Sequence, residues 1–187
     1  MKGSDSMDFE EKVKNVQHIF KGHVINLDME TVELPDGRQA QREIVRHHGA
    51  VGVVAVTAAD KMVFIRQWRA PLGKETLEIP AGKIEPDEQK SPLETAKREM
   101  NEETSYQAQD YELLSTFYSS PGFSDELMYL YHATNLTPVE TKLPQDADEL
   151  LKIEELSGSE VKQAIENGEI CDAKTIMAVL YWNLMEQ

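Results

Sequence analysis

The chain has little of what would place a protein outside the cell or in a membrane. Of its 187 residues only Cys171 is a cysteine, which excludes an internal disulfide and a cysteine-rich zinc site. The sequence contains no apolar run of roughly 18 residues and no apolar signal segment at its N-terminus. We therefore expect a cytoplasmic protein that does not bind membranes.

Basic residues are also scarce. Lys and Arg number 19 against 34 Asp and Glu, so the formal net charge is −15. A charge of this sign and size repels nucleic acid at long range, which argues against a nucleic-acid partner. A small phosphate ligand is still compatible with the sequence, because a bound metal ion inverts the local charge.

The hydrophobic pattern predicts strands and helices that do not alternate regularly. Ile25, Leu27 and Met29 alternate with polar residues, which is typical of a strand, and the residues 35–37 predict a hairpin turn in which Gly37 takes a positive φ. The apolar run 50–56 predicts a buried central strand. Helices are predicted over about 91–104, 157–168 and 172–185. This mixture favours a mixed sheet covered by helices.

One of these predicted helices concentrates acidic side chains. Glu99, Glu102 and Glu103 lie at positions i, i+3 and i+4 and therefore share one helix face. Clustered carboxylate oxygens suit Mg²⁺ or Mn²⁺, which also bridge to substrate phosphates. Spacing alone leaves a solvated acidic face as the alternative.

The segment that contains this helix, GKIEPDEQKSPLETAKREMNEETSY, resembles the Nudix box. That pattern runs Gly, five residues, Glu, seven residues, Arg-Glu, an apolar residue, any residue, Glu-Glu, any residue, Gly and an apolar residue. Glu88 follows Gly82 at the expected distance, but nine residues instead of seven separate Glu88 from Arg98. Ser105 occupies the position of the final Gly.

Beyond the box, the chain is similar to the ADP-ribose pyrophosphatase branch of the Nudix family. Pro121 lies sixteen residues after Ser105, the offset at which this branch has a proline. The segments 42–44, 66–69 and 78–82 are also similar to that branch. Taken in isolation, Pro121 would be interpreted as part of an ordinary turn.

The resemblance implies an α/β fold, the Nudix α/β/α sandwich with a mixed β-sheet, preceded by an antiparallel β arm. We divide the chain into a flexible N-terminus (1–16), an N-terminal β arm for dimerisation and substrate contact (17–46) and a Nudix hydrolase domain (47–187). The resemblance further implies a homodimer in which the arm contributes to the partner's site.

The resemblance also assigns roles in the box. Glu99 and Glu103 match the carboxylates that bind Mg²⁺, with the backbone carbonyl of Ala81 as a further ligand. Glu102 matches a carboxylate that binds the metal or supports a metal-bound water. Arg98 matches the arginine that orients these glutamates.

Outside the box, the resemblance implies a second set of residues, which bind the substrate. Arg42 and Arg69 are similar to arginines that hold the diphosphate or the adenine end. Glu126 is similar to a substrate-binding acid after Pro121, and Phe20 falls where the arm stacks on adenine. An ordinary surface or core role is the alternative for each of them.

The general base would come from the acidic loop 145–149. Its candidates are Asp146, Asp148 and Glu149, and a mobile solvated loop is the alternative interpretation.

The reaction implied is metal-dependent hydrolysis of the diphosphate of ADP-ribose to AMP and ribose 5-phosphate, a step of nucleotide-sugar metabolism. One alternative is another nucleoside diphosphate-linked substrate, such as a nucleotide sugar or a dinucleoside polyphosphate. Another is a non-catalytic, Nudix-like nucleotide-binding regulator. The complete set of box residues argues against the regulator, because such modules typically lose a carboxylate.

Overall fold

The structure of the chain is a computed structural model that describes residues 9–85, 91–144 and 150–185. The chain divides into two units. The first unit contains Met1–His47 and Ser120–Glu126, and the second contains His48–Ser119 and Leu127–Gln187. None of the helices in the described ranges is long and apolar enough to cross a membrane.

Three antiparallel strands, in the order β1-β2-β3, form the sheet of the first unit. Their bounds are β1 Lys12–Lys21, β2 Asn26–Glu33 and β3 Gln39–Arg46. The turn between β2 and β3 contains Gly37 at a φ of 85°, a left-handed conformation that glycine adopts without steric cost.

Strand β1 begins earlier than the sequence pattern predicts. The pattern leaves residues 12–16 within a flexible N-terminus, whereas the structure pairs Lys12 with Glu33 and Val13 with Val32. Every residue of β1 is exposed, so the pairing relies on backbone hydrogen bonds and needs no buried apolar side chain. A charged composition therefore does not reveal this part of the strand.

Two sheets form the framework of the second unit. A four-stranded mixed sheet has the order β7-β4-β9-β8, with β4 parallel to β9 and the other pairs antiparallel. A three-stranded antiparallel sheet has the order β10-β5-β6. The strand bounds are β4 Ala50–Ala55, β5 Met62–Arg69, β6 Lys74–Glu78, β7 Ala81–Lys83, β8 Tyr106–Tyr118, β9 Leu127–Pro138 and β10 Lys152–Leu156.

Helices cover both faces of the central strand β4, which is buried along its whole length. The helix bounds are α1 Pro92–Thr104, α2 Gly158–Glu166 and α3 Ala173–Met185. Val53 belongs to the buried cluster that contains residues of α1, and Val54 belongs to the cluster that contains residues of α2 and α3. Alternate side chains of one strand thus face opposite helix layers. This arrangement confirms the predicted α/β/α sandwich with a mixed sheet.

Candidate active site

Two of the carboxylates on α1 are buried. Glu99 is 8% exposed and Glu103 is 2% exposed. They lie one helical turn apart and next to Ala96 and Met100, which are fully buried. The structure therefore excludes a solvated acidic face for this pair, and two buried carboxylates require compensating partners.

Arg98 supplies one of these partners. Its Nη1 lies 2.8 Å from Oε1 of Glu99 and 2.8 Å from Oε2 of Glu102. One guanidinium thus joins two carboxylates of the same helix through charge-assisted contacts. These contacts offset the like-charge repulsion that residues three and four positions apart would otherwise cause.

Strand β7 brings backbone atoms against the same two buried carboxylates. The backbone N–H of Ala81 donates a hydrogen bond of 2.9 Å to Oε2 of Glu103. A Cβ atom at position 82 would lie 1.9 Å from Oε1 of Glu99, so only glycine permits this approach. The beginning of β7 therefore packs against the C-terminal half of α1, around the Glu99–Glu103 pair.

The Glu99–Glu103 pair suits a hard divalent cation. Mg²⁺ is commonly held by one or two carboxylates, with water and substrate phosphate completing its shell. Within the described ranges, no group of three or more His, Cys, Asp or Glu side chains is arranged to hold a metal ion. A cation at this pair would accordingly depend on backbone, water and substrate oxygens for its remaining ligands.

Ser105 ends α1 in the conformation that the usual glycine would supply. Its φ of 60° and ψ of 21° are left-handed, and its N–H donates a hydrogen bond of 3.1 Å to the carbonyl of Asn101. A non-glycine residue is disfavoured in this conformation, but the helix end has the expected capping geometry. The serine therefore leaves Glu103 in the last turn of α1.

A buried ion-pair network is centred on Glu78, the last residue of β6, which is 2% exposed. Its two carboxylate oxygens accept hydrogen bonds from Nε and Nη2 of Arg69, both at 2.7 Å. The Thr76 hydroxyl donates a further hydrogen bond of 2.6 Å, and the Lys174 ammonium of α3 donates another. Lys174 also donates to Asp172 at 2.9 Å.

These contacts determine the ionisation of the network. Burial by itself would raise the pKa of Glu78, but the Arg69 hydrogen bonds and the Lys174 charge outweigh it and lower that pKa to about 2. The hydrogen bonds to Glu78 raise the pKa of Arg69, and the Glu103 charge adds to this effect. Arg69 is thus a permanent cation within electrostatic reach of Glu103.

Four of the predicted substrate-binding residues belong to the first unit. Phe20 lies on β1 with 56% of its surface exposed. Arg42 lies on β3, where its Nε donates a hydrogen bond of 2.9 Å to Glu11 and its Nη2 donates a second one. The other two, Pro121 and Glu126, lie in the segment 120–126.

Hydrogen bonds join the segment 120–126 to the end of β3. The N–H of Val45 donates to the carbonyl of Phe123 at 2.7 Å, and the N–H of Asp125 donates to the carbonyl of Val45 at 3.2 Å. The Asp125 carboxylate accepts the N–H of His47 at 2.8 Å and pairs with Arg46 at 3.1 Å. The segment thus lies beside the end of β3, where Val45 and Ser124 form a single parallel bridge.

Pro121 and Glu126 lie at the two ends of this segment. Pro121 is exposed in a turn, and Glu126 is half-buried, with its carboxylate 3.8 Å from Nδ1 of His47. The contacts of the Asp125 carboxylate with His47 and Arg46 therefore fix the backbone directly before Glu126.

Some of the residues that the sequence singled out lie outside the described residues. They are the base candidates Asp146, Asp148 and Glu149 and the box residue Glu88.

Sequence reasoning noted Glu78 only as part of the segment 78–82 and gave it no role of its own, and it did not note Lys174. A signal existed for Glu78, because it is a charged residue between Leu77 and Ile79 in a strand, and a charge buried in a strand requires a partner. No such signal marks Lys174, since the residue that it contacts is 96 positions away in the sequence.

A cavity of about 600 Å³ lies in the second unit, at the far end of β4 from β7. Val56, His132 and Trp182 are among its lining residues, and none of the predicted site residues is. Burial lowers the pKa of His132, so its imidazole is neutral at pH 7.

Comparisons relate the chain to known proteins. Residues 46–178 match the NUDIX domain. A methanol dehydrogenase activator of Bacillus methanolicus is 46% identical over 178 residues, which cover 95% of both chains. An ADP-ribose pyrophosphatase of Bacillus subtilis (strain 168) is 43% identical over 177 residues, again 95% of both.

A solved structure shares the fold. It is described as an ADP compounds hydrolase, and it matches 96% of this chain and 96% of its own, with a TM-score of 0.83 and 21% identity.

Proposed function

This chain belongs to the Nudix family and is a Nudix hydrolase, and from that premise we propose that it hydrolyses ADP-ribose to AMP and ribose 5-phosphate. The observation that carries the proposal is the buried Glu99–Glu103 pair, which Arg98 and the backbone of β7 hold in place. The 43% identity to a protein named ADP-ribose pyrophosphatase supports the choice of substrate.

Nudix ADP-ribose pyrophosphatases generally need a divalent metal, and for this chain we propose Mg²⁺, with Mn²⁺ as a substitute. Glu99, Glu103 and the backbone carbonyl of Ala81 would hold it. When bound, such a cation neutralises diphosphate charge and lowers the pKa of a water molecule. The hard carboxylate oxygens of the pair favour these metals over softer ones.

The residues around the pair would orient the reacting groups. Arg98 would reduce the repulsion between the carboxylates of Glu99 and Glu102 and fix the orientation of both side chains, as its two 2.8 Å contacts indicate. Glu102 is less buried than Glu99 and Glu103 and would support the attacking water. Arg69 would bind the diphosphate, since it is a cation within electrostatic reach of Glu103.

We propose that the proton of the attacking water passes to Asp146, Asp148 or Glu149. The water oxygen forms a new bond to one phosphorus as the bridging P–O bond breaks, which gives AMP and ribose 5-phosphate. Single amide substitutions at these three positions separate the candidates. If all three variants remain active, the base lies elsewhere.

The first unit would bind the ends of the substrate. Phe20 would stack on adenine, and Arg42, Pro121 and Glu126 would contact the adenine end, the diphosphate or the ribose. We also propose a cytoplasmic homodimer in which β1 reaches the partner's site. The exposed apolar side chains on β1 support this, and they are Val13, Val16, Ile19 and Phe20.

The test is a substrate panel. ADP-ribose, a nucleotide sugar, a dinucleoside polyphosphate and NADH are incubated with Mg²⁺ or with a chelator, and release of AMP or of another nucleoside monophosphate is measured. We expect metal-dependent release that is fastest with ADP-ribose. Faster turnover of another compound would retain the chemistry and reject this substrate, and no turnover by a folded, metal-binding chain would reject catalysis.

The 46% identity to a methanol dehydrogenase activator favours a second candidate function, activation of a dehydrogenase. It is tested by adding the chain, or its Glu103→Gln variant, to methanol dehydrogenase. Activation by the wild type alone would link activation to hydrolysis. Equal activation by both would indicate a regulator that does not depend on the pair.

A further inference from the structure

We propose that Glu78 is a positioning residue that aims Arg69 at a bound diphosphate, with Lys174 as a second cation that keeps the Glu78 carboxylate compensated. The proposal rests on the proposed function only in requiring that the site takes a nucleoside diphosphate, and it does not require ADP-ribose itself.

The geometry of the Arg69–Glu78 pair defines which edge of the guanidinium remains available. Both hydrogen bonds to Glu78 come from the Nε and Nη2 edge, so the N–H groups of Nη1 are not committed to this carboxylate. The Glu78 side chain is 2% exposed and that of Arg69 is 39% exposed. A planar two-point contact fixes the rotation of the guanidinium and directs its other edge outward.

The backbone links Glu78 to the Glu99–Glu103 pair. Glu78 ends β6, and three residues later the N–H of Ala81 binds Glu103. Between them, the N–H of Ile79 donates a hydrogen bond of 3.1 Å to the hydroxyl of Thr175 in α3. This short connection between β6 and β7 therefore places the anchor of Arg69 and a carboxylate of the pair in fixed relation.

Lys174 accounts for what happens to Glu78 when Arg69 binds an anion. A buried carboxylate whose compensating positive charge is withdrawn strongly destabilises the folded state. Lys174 donates to the same Oε2 atom that accepts Nη2 of Arg69. Because this second cation stays in place, Arg69 can share its charge with a phosphate without leaving Glu78 uncompensated.

The test measures ADP binding by calorimetry in the presence of Mg²⁺, with Glu78→Gln against wild type. The amide places an NH₂ group against donors of Arg69 and Lys174, so the guanidinium loses its anchor. We expect the Kd for ADP to rise about tenfold or more. With ADP-ribose as substrate, we expect KM to rise in parallel while kcat changes less than about threefold.

Glu154→Gln is the matched control. Glu154 on β10 forms a similar two-point pair with Arg66, at 2.8 and 3.3 Å. Arg66 lies on β5, the strand that also carries Arg69, and β10 is hydrogen-bonded to β5 in the same sheet. Glu154→Gln also replaces a carboxylate paired with an arginine by an amide, so it should change stability in the same direction as Glu78→Gln. The Kd for ADP should stay at the wild-type value. Mn²⁺ affinity, measured without nucleotide, should be unchanged in both variants.

Arg69→Lys provides a second route if Glu78→Gln does not fold. It keeps the positive charge but cannot make the two-point contact, so the proposal again expects a loss of ADP affinity of about tenfold. The proposal is overturned if a folded Glu78→Gln or Arg69→Lys variant binds ADP like the wild type, or if the wild type does not bind ADP. If the ADP affinities change as expected but the wild type does not hydrolyse ADP-ribose, only the proposed substrate is rejected.

Discussion

At the scale of single residues, the Glu103 carboxylate has two partners to satisfy. It accepts the Ala81 N–H, and it is one of the two buried oxygen donors proposed for the cation. A glutamine at this position can still accept the N–H but is a poor ligand for Mg²⁺. A glutamine at position 103 should therefore preserve the fold while removing activity.

We expect Glu103→Gln to lower the rate of AMP release by at least about a hundredfold and to change the melting temperature little. Glu94→Gln is the control, because Glu94 lies on the same helix but is exposed and pairs with Lys97 at the surface. Normal turnover in Glu103→Gln would remove this residue from the metal site.

At the scale of elements, the end of α1 contains avoidable strain. Ser105 has the left-handed φ of 60° that glycine adopts freely. Ser105→Gly should increase the free energy of unfolding by about 0.5–1 kcal/mol, since the strain relieved exceeds the extra chain entropy of glycine. Urea denaturation measures this difference. A Ser105→Val variant should be less stable than wild type, and the reverse order would contradict the interpretation.

The segment 120–126 is a second element whose position depends on a few contacts. Asp125→Ala removes both the acceptor for the His47 N–H and the ion pair with Arg46, whereas Asp125→Asn can keep the acceptor. If this segment contacts substrate through Pro121 and Glu126, KM should rise more in the alanine variant than in the asparagine variant. Initial-rate kinetics with ADP-ribose provide the comparison, and equal KM values in all three proteins would argue against substrate contact.

At the scale of the whole molecule, acid should destabilise the second unit through the ion pairs of Glu78, which is buried, and Glu154, which is half-buried. The Glu78 pKa lies at about 2, and the Arg66 hydrogen bonds lower the pKa of Glu154 to about 2 as well, against an ordinary value of 4.5. A lowered pKa stabilises the fold above the ordinary value, and this stabilisation disappears as pH falls through the folded value.

The free energy of unfolding should therefore decline between about pH 5 and pH 2, by on the order of a few kcal/mol. Denaturation at a series of pH values gives the slope. The Glu78→Gln and Glu154→Gln variants, where folded, should show a shallower slope over this range. A wild-type slope in both would show that other groups control acid unfolding.

The sequence was sufficient for the elements that are defined by local pattern. The apolar run at 50–56 predicted β4, and the pattern over 91–104 predicted α1, which begins at Pro92, where the fixed φ of proline suits the first helical turn. The Ser91 side chain makes no capping hydrogen bond at this helix start. Local pattern could not predict that β1 begins at Lys12, because that pairing depends on backbone contacts with β2. It also could not predict the burial of Glu99 and Glu103, which depends on packing.

The same distinction applies to the candidate site. The box residues on α1 were identified because their spacing is local, and the structure places Arg98 between Glu99 and Glu102. The network of Glu78, Arg69 and Lys174 joins two consecutive strands to a helix whose Lys174 lies 96 positions beyond Glu78. Such a set becomes visible only when the fold brings its members together.

The glycine at position 82 has a consequence for folding. Because Glu99 packs against its bare α-carbon, the Glu99–Glu103 pair is complete only after β7 has docked on α1. During refolding, competence to bind Mn²⁺ should therefore appear after the helical circular dichroism signal, not with it. Time-resolved Mn²⁺ binding would therefore report the docking of β7 on α1 without any substrate.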